Sequence, residues 1–476
     1  MTPSHASQRT RKISSIERIA EWSLGQDPSF SAPLSVRQSG LLLLDSIGCM
    51  LAAQRSKTAR EVVQLVAELG GNPHCTIVGQ PFKSSAPNAV LANGALVRAL
   101  DLNDVMFIQK EGHLSVGGHC SDNIPVVMAI GEMVNASLRQ VLEAFAMGYQ
   151  LFGRLRDVMP FSSAWDGTSA SGLVAAAMAG RLMGLDLERQ AHALAYGATR
   201  CSTPKIVRWG DLSAMKNLAN ALIAEEAVRG TLMAARGLTG PLEVLDHKGG
   251  LHQVFDPRLD LATIWAPVSG LPNILLANVK TYPCIGTAQT EIKAAIDAHA
   301  KVKGRLNEIS KIIVTMADVP MIRNQQGEES RQYPTTREEA DHSFTFLPAI
   351  VLADGELGEK QFANARWTHA DMRNLAGKVE MTLSAELAAR APGSMPCHLQ
   401  IFFNDGSEIV SECLYPPGHS FPDSGLNQDV VESKFRICAE HHLSHQASDR
   451  IISALVEGDL EVGFADVMKH IAQART

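Results

Sequence analysis

The first half of the chain repeats apolar residues at three- and four-residue intervals, the spacing of α-helices, and interrupts them with Gly or Pro. The segments with this pattern include residues 36–53, 88–100, 124–149, 169–184 and 187–197. Aromatic residues make up only 5% of the chain, so Ala, Leu, Gly and Met must fill the core. Small residues at this density favour closely packed helices over a sheet sandwich, whose strands prefer β-branched and aromatic side chains. The sequence therefore predicts a large helical domain.

The pattern changes near Pro272, where short strand-like runs begin. These runs are residues 312–319, 379–387 and 398–415. Within the last run, Asn404-Asp405-Gly406 is typical of a hairpin turn between two alternating strands. After Asp429 the chain returns to helical spacing. We therefore predict a separate α+β unit, followed by a helical tail that packs on the first domain.

Charge and cysteine usage argue against several classes of function. The net charge of −7 argues against nucleic acid as a partner, because phosphate binding requires a basic surface. The eight cysteines are scattered singly, and no CxxC pair is present to hold zinc or an iron–sulfur cluster. His441, His442 and His445 have helical spacing, but a solvent-exposed helix face is favoured over a metal site because no carboxylate or cysteine ligand accompanies them.

The N-terminal segment is polar and mildly basic and lacks the apolar stretch of a signal peptide. No run of 18 uncharged apolar residues follows it. We expect a cytoplasmic protein that does not bind a membrane.

Residues 93–123 carry the densest group of ionisable side chains. The apolar, helix-like run NGALVRALDLNDV delivers Asp101 and Asp104, and a Gly-rich turn then ends in GGHCSDN with His119. Burying unpaired charges costs several kcal/mol, so a segment of this kind favours a cleft and chemistry. The alternative is that both aspartates face solvent at a helix end and that His119 is a turn residue whose hydrogen bonds are satisfied.

Further acids, bases and cations follow along the chain. Ser213 and Gly237 are a plausible N-cap and C-cap for a long helix with Lys216 in its first turn. The polar residues outside the 93–123 segment include Lys205, Arg208, Lys216, Lys280, Tyr282, Arg337, Asp341 and His342. Such an inventory suits proton abstraction beside a carboxylate, in which cations neutralise the substrate. Lys216 could instead be a surface lysine, and a capping or structural role is favoured for Asp341 and His342.

Seven motifs, in this order, resemble the MmgE/PrpD family, which includes 2-methylcitrate dehydratase, cis-aconitate decarboxylase and iminodisuccinate epimerase. They are LLLLDSIGCMLAA, NGALVRALDLNDV, GHCSDN, SASGLVAAAMAGRLMGLDLE, SAMKNLANA, KTYPCIGTAQ and TTREEADHSF. The resemblance extends from about Ser35 to Val462.

The resemblance implies a mainly α fold, with a large all-helical domain and a smaller α+β lid domain inserted before the C-terminal helices. We place the first part of the helical domain at 1–270, the lid at 271–428 and the returning helices at 429–476. It also implies a homodimer with no metal or organic cofactor. The active site would lie between the helical domain and the lid and would bind a small anionic carboxylate substrate.

The resemblance also assigns site residues. Asp101 and Asp104 match an LDxxD motif, and His119 matches a GHPSD-type motif in which Cys120 replaces the proline. These three are the candidate catalytic residues. The candidate substrate-binding residues are Lys216, which matches a helix lysine thought to hold a carboxylate, and Lys280 with Tyr282, which match a K-x-[FYW]-P motif.

Three positions depart from the decarboxylase pattern. Val105 replaces a threonine, residues 166–167 lack a histidine, and Ile285 stands where another histidine is expected. Asp122-Asn123 resembles the dehydratases instead. We therefore predict a cofactor-independent lyase that eliminates water from a small hydroxy di- or tricarboxylate. The alternatives are an epimerase of a related dicarboxylate, a cis-aconitate decarboxylase-like enzyme and a non-catalytic carboxylate-binding homologue.

In the predicted mechanism His119 or Asp101 takes the proton α to a carboxylate. Lys216 and Lys280 stabilise the resulting aci-carboxylate, and a second acid assists the departure of hydroxide. The sequence leaves the substrate and the division of roles between Asp101 and His119 open.

Overall fold

The computed structural model describes residues 12–472 except 111–112, 159–164, 201, 209–211, 252–259 and 422. Its first part is helical, as predicted. The helices are Ser15–Leu24 (α1), Pro28–Ser31 (α2), Pro33–Ala52 (α3), Lys57–Leu69 (α4), Ala86–Arg98 (α5), Ile124–Val134 (α6), Leu138–Val158 (α7), Ser171–Leu182 (α8), Leu187–Ala198 (α9) and Met215–Ala234 (α10).

Small residues let these helices approach one another closely. A Cβ atom added at Gly94 of α5 would lie 2.6 Å from the Cβ of Ala221 on α10. A Cβ added at Gly197 of α9 would lie 2.2 Å from the carbonyl oxygen of Gly172 on α8. Both distances are far below van der Waals contact, so only glycine fits at these crossings. The high content of Gly and Ala therefore allows the helices to pack closely, as the sequence indicated.

Two helical predictions need correction. The segment 124–149 belongs to two helices, because Asn135 adopts the left-handed conformation with φ of 49° and ends α6. Helix α10 has Ala214 at its N-cap position and no capping side chain, whereas Ser213 contributes its carbonyl, which accepts from the Lys216 N–H at 3.0 Å. Lys216 does lie in the first turn of α10, as predicted.

The chain before residue 280 also contains strands that the sequence analysis missed. They are Cys75–Thr76 (β1), Lys83–Ser84 (β2), Val105–Lys110 (β3), His113–Gly118 (β4) and Ala277–Asn278 (β5). The predicted Gly-rich turn before His119 is thus the antiparallel hairpin of β3 and β4, and β5 pairs with the other edge of β3.

The α+β unit is built on a four-stranded sheet of order β7-β6-β8-β9. Its strands are Ile309–Ala317 (β6), Val379–Ser384 (β7), Cys397–Phe403 (β8) and Glu408–Cys413 (β9). β8 and β9 form the predicted hairpin, and Gly406 in its turn has φ of +83°. The helices are Gln289–Val302 (α11), Pro320–Gln326 (α12), Glu329–Gln332 (α13), Arg337–Ala340 (α14), Phe346–Asp354 (α15), Glu359–Phe362 (α16), Ala370–Ala376 (α17) and Ala385–Arg390 (α18). The mainly α fold with a smaller α+β part is confirmed.

The C-terminal tail returns to the first part of the chain. Its helices are Gln428–Ala439 (α19), His445–Ile452 (α20) and Phe464–Ala472 (α21). Lys434 of α19 is buried, and its ammonium lies 2.5 Å from the carboxylate of Asp45 on α3. The same ammonium donates to the carbonyl of Leu102 at 2.7 Å. The tail therefore holds both the central helix α3 and the loop that follows α5.

Buried apolar residues form two separate cores, and strand β3 lies between them. The first core is formed by residues of the helices before residue 280 and of the C-terminal tail. The second core is formed mainly by residues of the α+β unit. Along β3, Met106 and Ile108 belong to the first core, whereas Val105 and Phe107 belong to the second. Successive side chains of a strand point to opposite faces, so one strand serves both cores. The exact domain boundaries stay predictions.

Among the described residues, Pro33–Arg55 is one helix long and apolar enough to cross a membrane, judged by length and composition. Its apolar window is 89% buried inside the protein. A buried helix in the core of a helical domain has the same length and composition. This segment is therefore only weak evidence for a membrane span.

The Lys434–Asp45 pair yields a stability prediction. Lys434→Met should lower the free energy of unfolding by about 3–5 kcal/mol, because it leaves the Asp45 carboxylate buried without its cation. Lys469→Met, which removes an exposed ion pair with Asp466, should cost less than about 1 kcal/mol. Chemical denaturation measures both. Equal losses in the two variants would contradict the interpretation, and Asp45→Asn combined with Lys434→Met should recover part of the loss.

Candidate active site

Asp101 is the centre of a buried charged cluster. It follows α5 in the left-handed conformation, with φ of 49°, and its residue is 2% exposed. Its carboxylate accepts from Arg98 Nη1 at 2.5 Å and from Lys280 Nζ. Lys216 Nζ and His342 Nε2 each lie 3.4 Å from its second oxygen. Groups from α5, α10, the segment after β5 and the loop after α14 therefore meet at this carboxylate.

The cations fix the charge state of Asp101. Burial alone would raise the pKa of this carboxyl, but Arg98, Lys280 and Lys216 hold it well below its usual range. Burial lowers the pKa values of Lys216 and Lys280 despite their carboxylate neighbours. A carboxylate shared by three cations is a weak base. The geometry thus favours Asp101 as the anchor of the cations rather than as the group that removes a proton.

His119 follows strand β4 and is half-buried. Its Nδ1 lies 2.5 Å from the carbonyl oxygen of Asp104, and a carbonyl can only accept, so Nδ1 carries the hydrogen. Burial, together with the Arg98 and Lys280 cations, lowers the pKa of His119 well below its ordinary value of 6.5. The imidazole is therefore neutral at pH 7, with the lone pair on Nε2. This is the protonation state that a general base requires.

Asp104 forms no ion pair with Arg98, Lys216 or Lys280, and its carboxylate has other partners. One carboxylate oxygen accepts from Ser121 Oγ, and the other accepts from the Tyr149 hydroxyl at 2.6 Å. Burial raises its pKa to about 6, although both hydroxyl partners act in the opposite direction. With both oxygens engaged, Asp104 contributes to the site mainly through its backbone carbonyl, which orients His119.

Of the capping or structural role favoured for Asp341 and His342, the capping part is wrong. Helix α15 has Thr345 at its N-cap position, and Ser343 Oγ accepts from the Phe346 N–H at 3.1 Å. Both residues instead join the cluster: Asp341 accepts from His342 Nδ1, and Lys216 Nζ lies 3.7 Å from Asp341.

His342 is therefore a second histidine of the site. Its Nδ1 lies 3.4 Å from Lys216 Nζ. Burial and the Lys216 cation lower its pKa to about 4, against the opposing effect of Asp341. His342 is consequently neutral at pH 7.

Lys280 and Tyr282 occupy different surroundings. Lys280 is fully buried on Asp101. Tyr282 is half-buried against the second core, and burial raises its pKa to about 12. Gln289 fixes the backbone here, since its side chain accepts from the Tyr282 N–H at 3.1 Å and donates to the Tyr282 carbonyl at 3.0 Å. Within the described part of the chain, the Tyr282 hydroxyl forms no hydrogen bond with Asp101.

The positions that depart from the decarboxylase pattern have structural roles. Val105 is 2% exposed and Ile285 is 8% exposed, and both pack in the second core. The Ile285 N–H donates to the Asp341 carbonyl at 2.9 Å. Asp166, where the resemblance led us to look for a histidine, forms an ion pair with Arg208 at 2.9 Å.

Asp101, Asp341 and His342 could in principle supply three metal ligands, since their ligand atoms lie within 4.8 Å of one another. However, Lys216 Nζ lies 3.4 Å from both Asp101 and His342 and 3.7 Å from Asp341. An ammonium group already neutralises these ligands, and a divalent cation would be repelled by it and by Lys280. The set is better suited to organising lysines than to binding a metal.

Arg98 is the site residue that the sequence analysis did not single out. It lies three residues before Asp101 on a helix whose residues are all buried. The sequence could have indicated Arg98, because it is a charged residue inside the apolar run NGALVRALD. Arginine is almost never fully buried unless it is paired.

The state of His119 can be measured directly. Nitrogen NMR of histidine-labelled protein should show Nδ1 protonated and Nε2 unprotonated at pH 7, with a titration midpoint below 6.5. The reason is that burial and two cations disfavour the imidazolium. His119→Asn assigns the signal, and a midpoint at or above 6.5 would contradict the neutral base.

Two cis-aconitate decarboxylases and a probable 2-methylcitrate dehydratase resemble this chain over most of its length. The cis-aconitate decarboxylase of Mus musculus is 24% identical over 444 residues, which cover 88% of this chain and 86% of its own. The cis-aconitate decarboxylase of Aspergillus terreus is 22% identical over 421 residues, 84% of each chain. The probable 2-methylcitrate dehydratase of Saccharomyces cerevisiae is 22% identical over 419 residues, 82% of this chain and 78% of its own.

Two family models also match the chain. The MmgE/PrpD N-terminal domain matches residues 17–262, and the MmgE/PrpD C-terminal domain matches residues 282–458. Together they cover the helical part, the α+β unit and most of the returning tail. The chain belongs to the MmgE/PrpD family.

Proposed function

We propose that this protein is a cofactor-independent lyase that eliminates water from a small hydroxy di- or tricarboxylate. Its family contains dehydratases and decarboxylases, which makes it an enzyme of the lyase or isomerase kind. The observation that carries the proposal is the neutral His119 beside buried cations. Its Nδ1–H is held by the Asp104 carbonyl, which leaves Nε2 to accept a proton.

The reaction begins with removal of the proton α to a substrate carboxylate by His119 Nε2. Charge then builds on that carboxylate as it becomes an aci-carboxylate. Lys216 and Lys280, which are held at Asp101, stabilise the developing charge. Preorganised cations in a water-poor site stabilise such charge more than water does, because they need little reorganisation during the reaction.

Elimination is completed when the electron pair of the broken C–H bond forms the C=C bond and the β-hydroxyl leaves. We assign the proton that converts the leaving hydroxide to water to the pair of Lys216 and His342. Burial lowers the pKa of Lys216, which makes its ammonium a better proton donor. Asp101 keeps both lysines in place and stays ionised throughout.

Decarboxylation is the second candidate, because the similarity to two cis-aconitate decarboxylases covers more than 80% of this chain. Both reactions use cations to stabilise charge on a carboxylate-derived intermediate. Elimination is favoured because Val105 and Ile285 give the site no decarboxylase-type threonine or histidine. We further propose, from the family resemblance, that the enzyme acts as a cytoplasmic homodimer.

Incubation in deuterated water tests the reaction class. Citrate, 2-methylcitrate, cis-aconitate, tartrates, malates and iminodisuccinate are each followed by proton NMR. We expect an alkene conjugated to a carboxylate to form from a hydroxy acid, because only elimination creates it. Release of carbon dioxide from cis-aconitate would move the assignment to decarboxylation. Exchange of an α-proton without a new alkene would indicate an epimerase, and no change in any acid would contradict catalysis on this class.

His119→Asn tests the base. The asparagine amide can replace Nδ1–H as donor to the Asp104 carbonyl, but it offers no basic Nε2. We expect kcat to fall at least about 100-fold with the melting temperature nearly unchanged. The control is His441→Asn at a 65% exposed side chain, which should leave kcat unchanged. A His119→Asn enzyme that retains near wild-type kcat would remove His119 from the mechanism.

A further inference from the structure

Arg208 lies in a short helical turn, Lys205–Arg208, that is fixed against the segment 165–169. Trp165 and Pro204 form an isolated β-bridge. The Asp166 N–H donates to the Thr203 carbonyl at 2.8 Å, and the Thr203 N–H donates to Ser169 Oγ at 3.1 Å. These bonds hold the backbone on either side of Asp166 next to the turn that carries Arg208.

Asp166 orients the guanidinium group of Arg208. One oxygen of Asp166 accepts from the Thr168 N–H at 3.0 Å and from the Thr168 hydroxyl at 2.8 Å. The other oxygen lies 2.9 Å from Arg208 Nε. Asp166 is 5% exposed, so this ion pair is protected from solvent on the carboxylate side.

Among the residues that the structure describes, Asp166 is the only ion-pair partner of Arg208, and the contact runs through Nε. The two terminal nitrogens of an arginine carry four further N–H donors in a planar fork. The Arg208 side chain is 25% exposed, so part of it is accessible to a ligand.

Arg208 is close to the charged cluster around Asp101. The turn that carries Arg208 packs against α10, the helix whose first turn holds Lys216. Asp122 in turn lies 3.9 Å from Arg98 Nε. The three cations held by Asp101 and the Arg208 guanidinium held by Asp166 thus lie on neighbouring elements.

We propose that Arg208 is a specificity-determining residue that binds a second carboxylate of the substrate through its terminal nitrogens. The first carboxylate is the one held by Lys216 and Lys280 at the reacting carbon. The substrate class is therefore a compound with carboxylates at both ends, and a monocarboxylate is a poor ligand. This inference rests on the proposed function, since it concerns the same site.

Calorimetric titration with non-reacting acids tests the inference. Propane-1,2,3-tricarboxylate represents the polycarboxylates, and butyrate represents the monocarboxylates. Arg208→Gln should raise the dissociation constant of the tricarboxylate at least about tenfold, the loss expected for charge-assisted hydrogen bonds, and change that of butyrate less than about twofold. Arg208→Lys should give an intermediate loss, because lysine keeps the charge and loses the planar fork.

The control is Arg200→Gln, which removes the same charge from an exposed position at the end of α9. It should leave tricarboxylate binding within about twofold of wild type. Equal weakening of both ligands by Arg208→Gln, an effect of Arg200→Gln as large as that of Arg208→Gln, or no binding of tricarboxylate by the wild type would overturn the inference. Failure of the proposed function appears separately, as selective tricarboxylate binding through Arg208 without any turnover in the deuterated-water assay.

Discussion

The arrangement of the site depends on one buried carboxylate. Asp101 holds Arg98, Lys216 and Lys280 within a small volume, and these cations would repel one another without it. Its left-handed backbone conformation turns the chain out of helix α5 and directs the carboxylate toward the lysines. Such a conformation costs energy for a residue other than glycine and persists only where the surroundings fix it. The three ion pairs supply that constraint.

The two cores meet at the same place. Strand β3 sends alternate side chains into both of them and leads through β4 to His119. The lysines come from different parts of the chain: Lys216 from helix α10, and Lys280 from the segment that leads into the α+β unit. On the remaining side, Lys434 of the tail donates to the Leu102 carbonyl, beside Asp101. A shift between the two units would thus move the lysines and the histidine relative to each other.

Much of this could be predicted from the sequence, and the failures have physical causes. Helical periodicity and the Asn-Asp-Gly turn gave the fold class and the β8–β9 hairpin. Asp341 and His342 were misjudged because their neighbours in space, Lys216 and Asp101, lie more than 120 residues away in the sequence. The β3–β4 hairpin was missed because β3 is buried on both faces, which hides the alternation that marks a strand.

The structure changes how the missing histidines should be understood. Ile285 and Val105 are apolar and buried in the second core, so their side chains contribute packing and no hydrogen bond. His342 supplies a second imidazole from another loop, and the Ile285 N–H steadies the backbone of its neighbour Asp341. Burial and nearby cations lower the pKa values of both histidines, and Lys216 lies 3.4 Å from His342. Such a site combines a neutral base with cationic lysines, so it places no negative charge of its own base next to the negatively charged substrate. Deprotonation beside a carboxylate requires this arrangement.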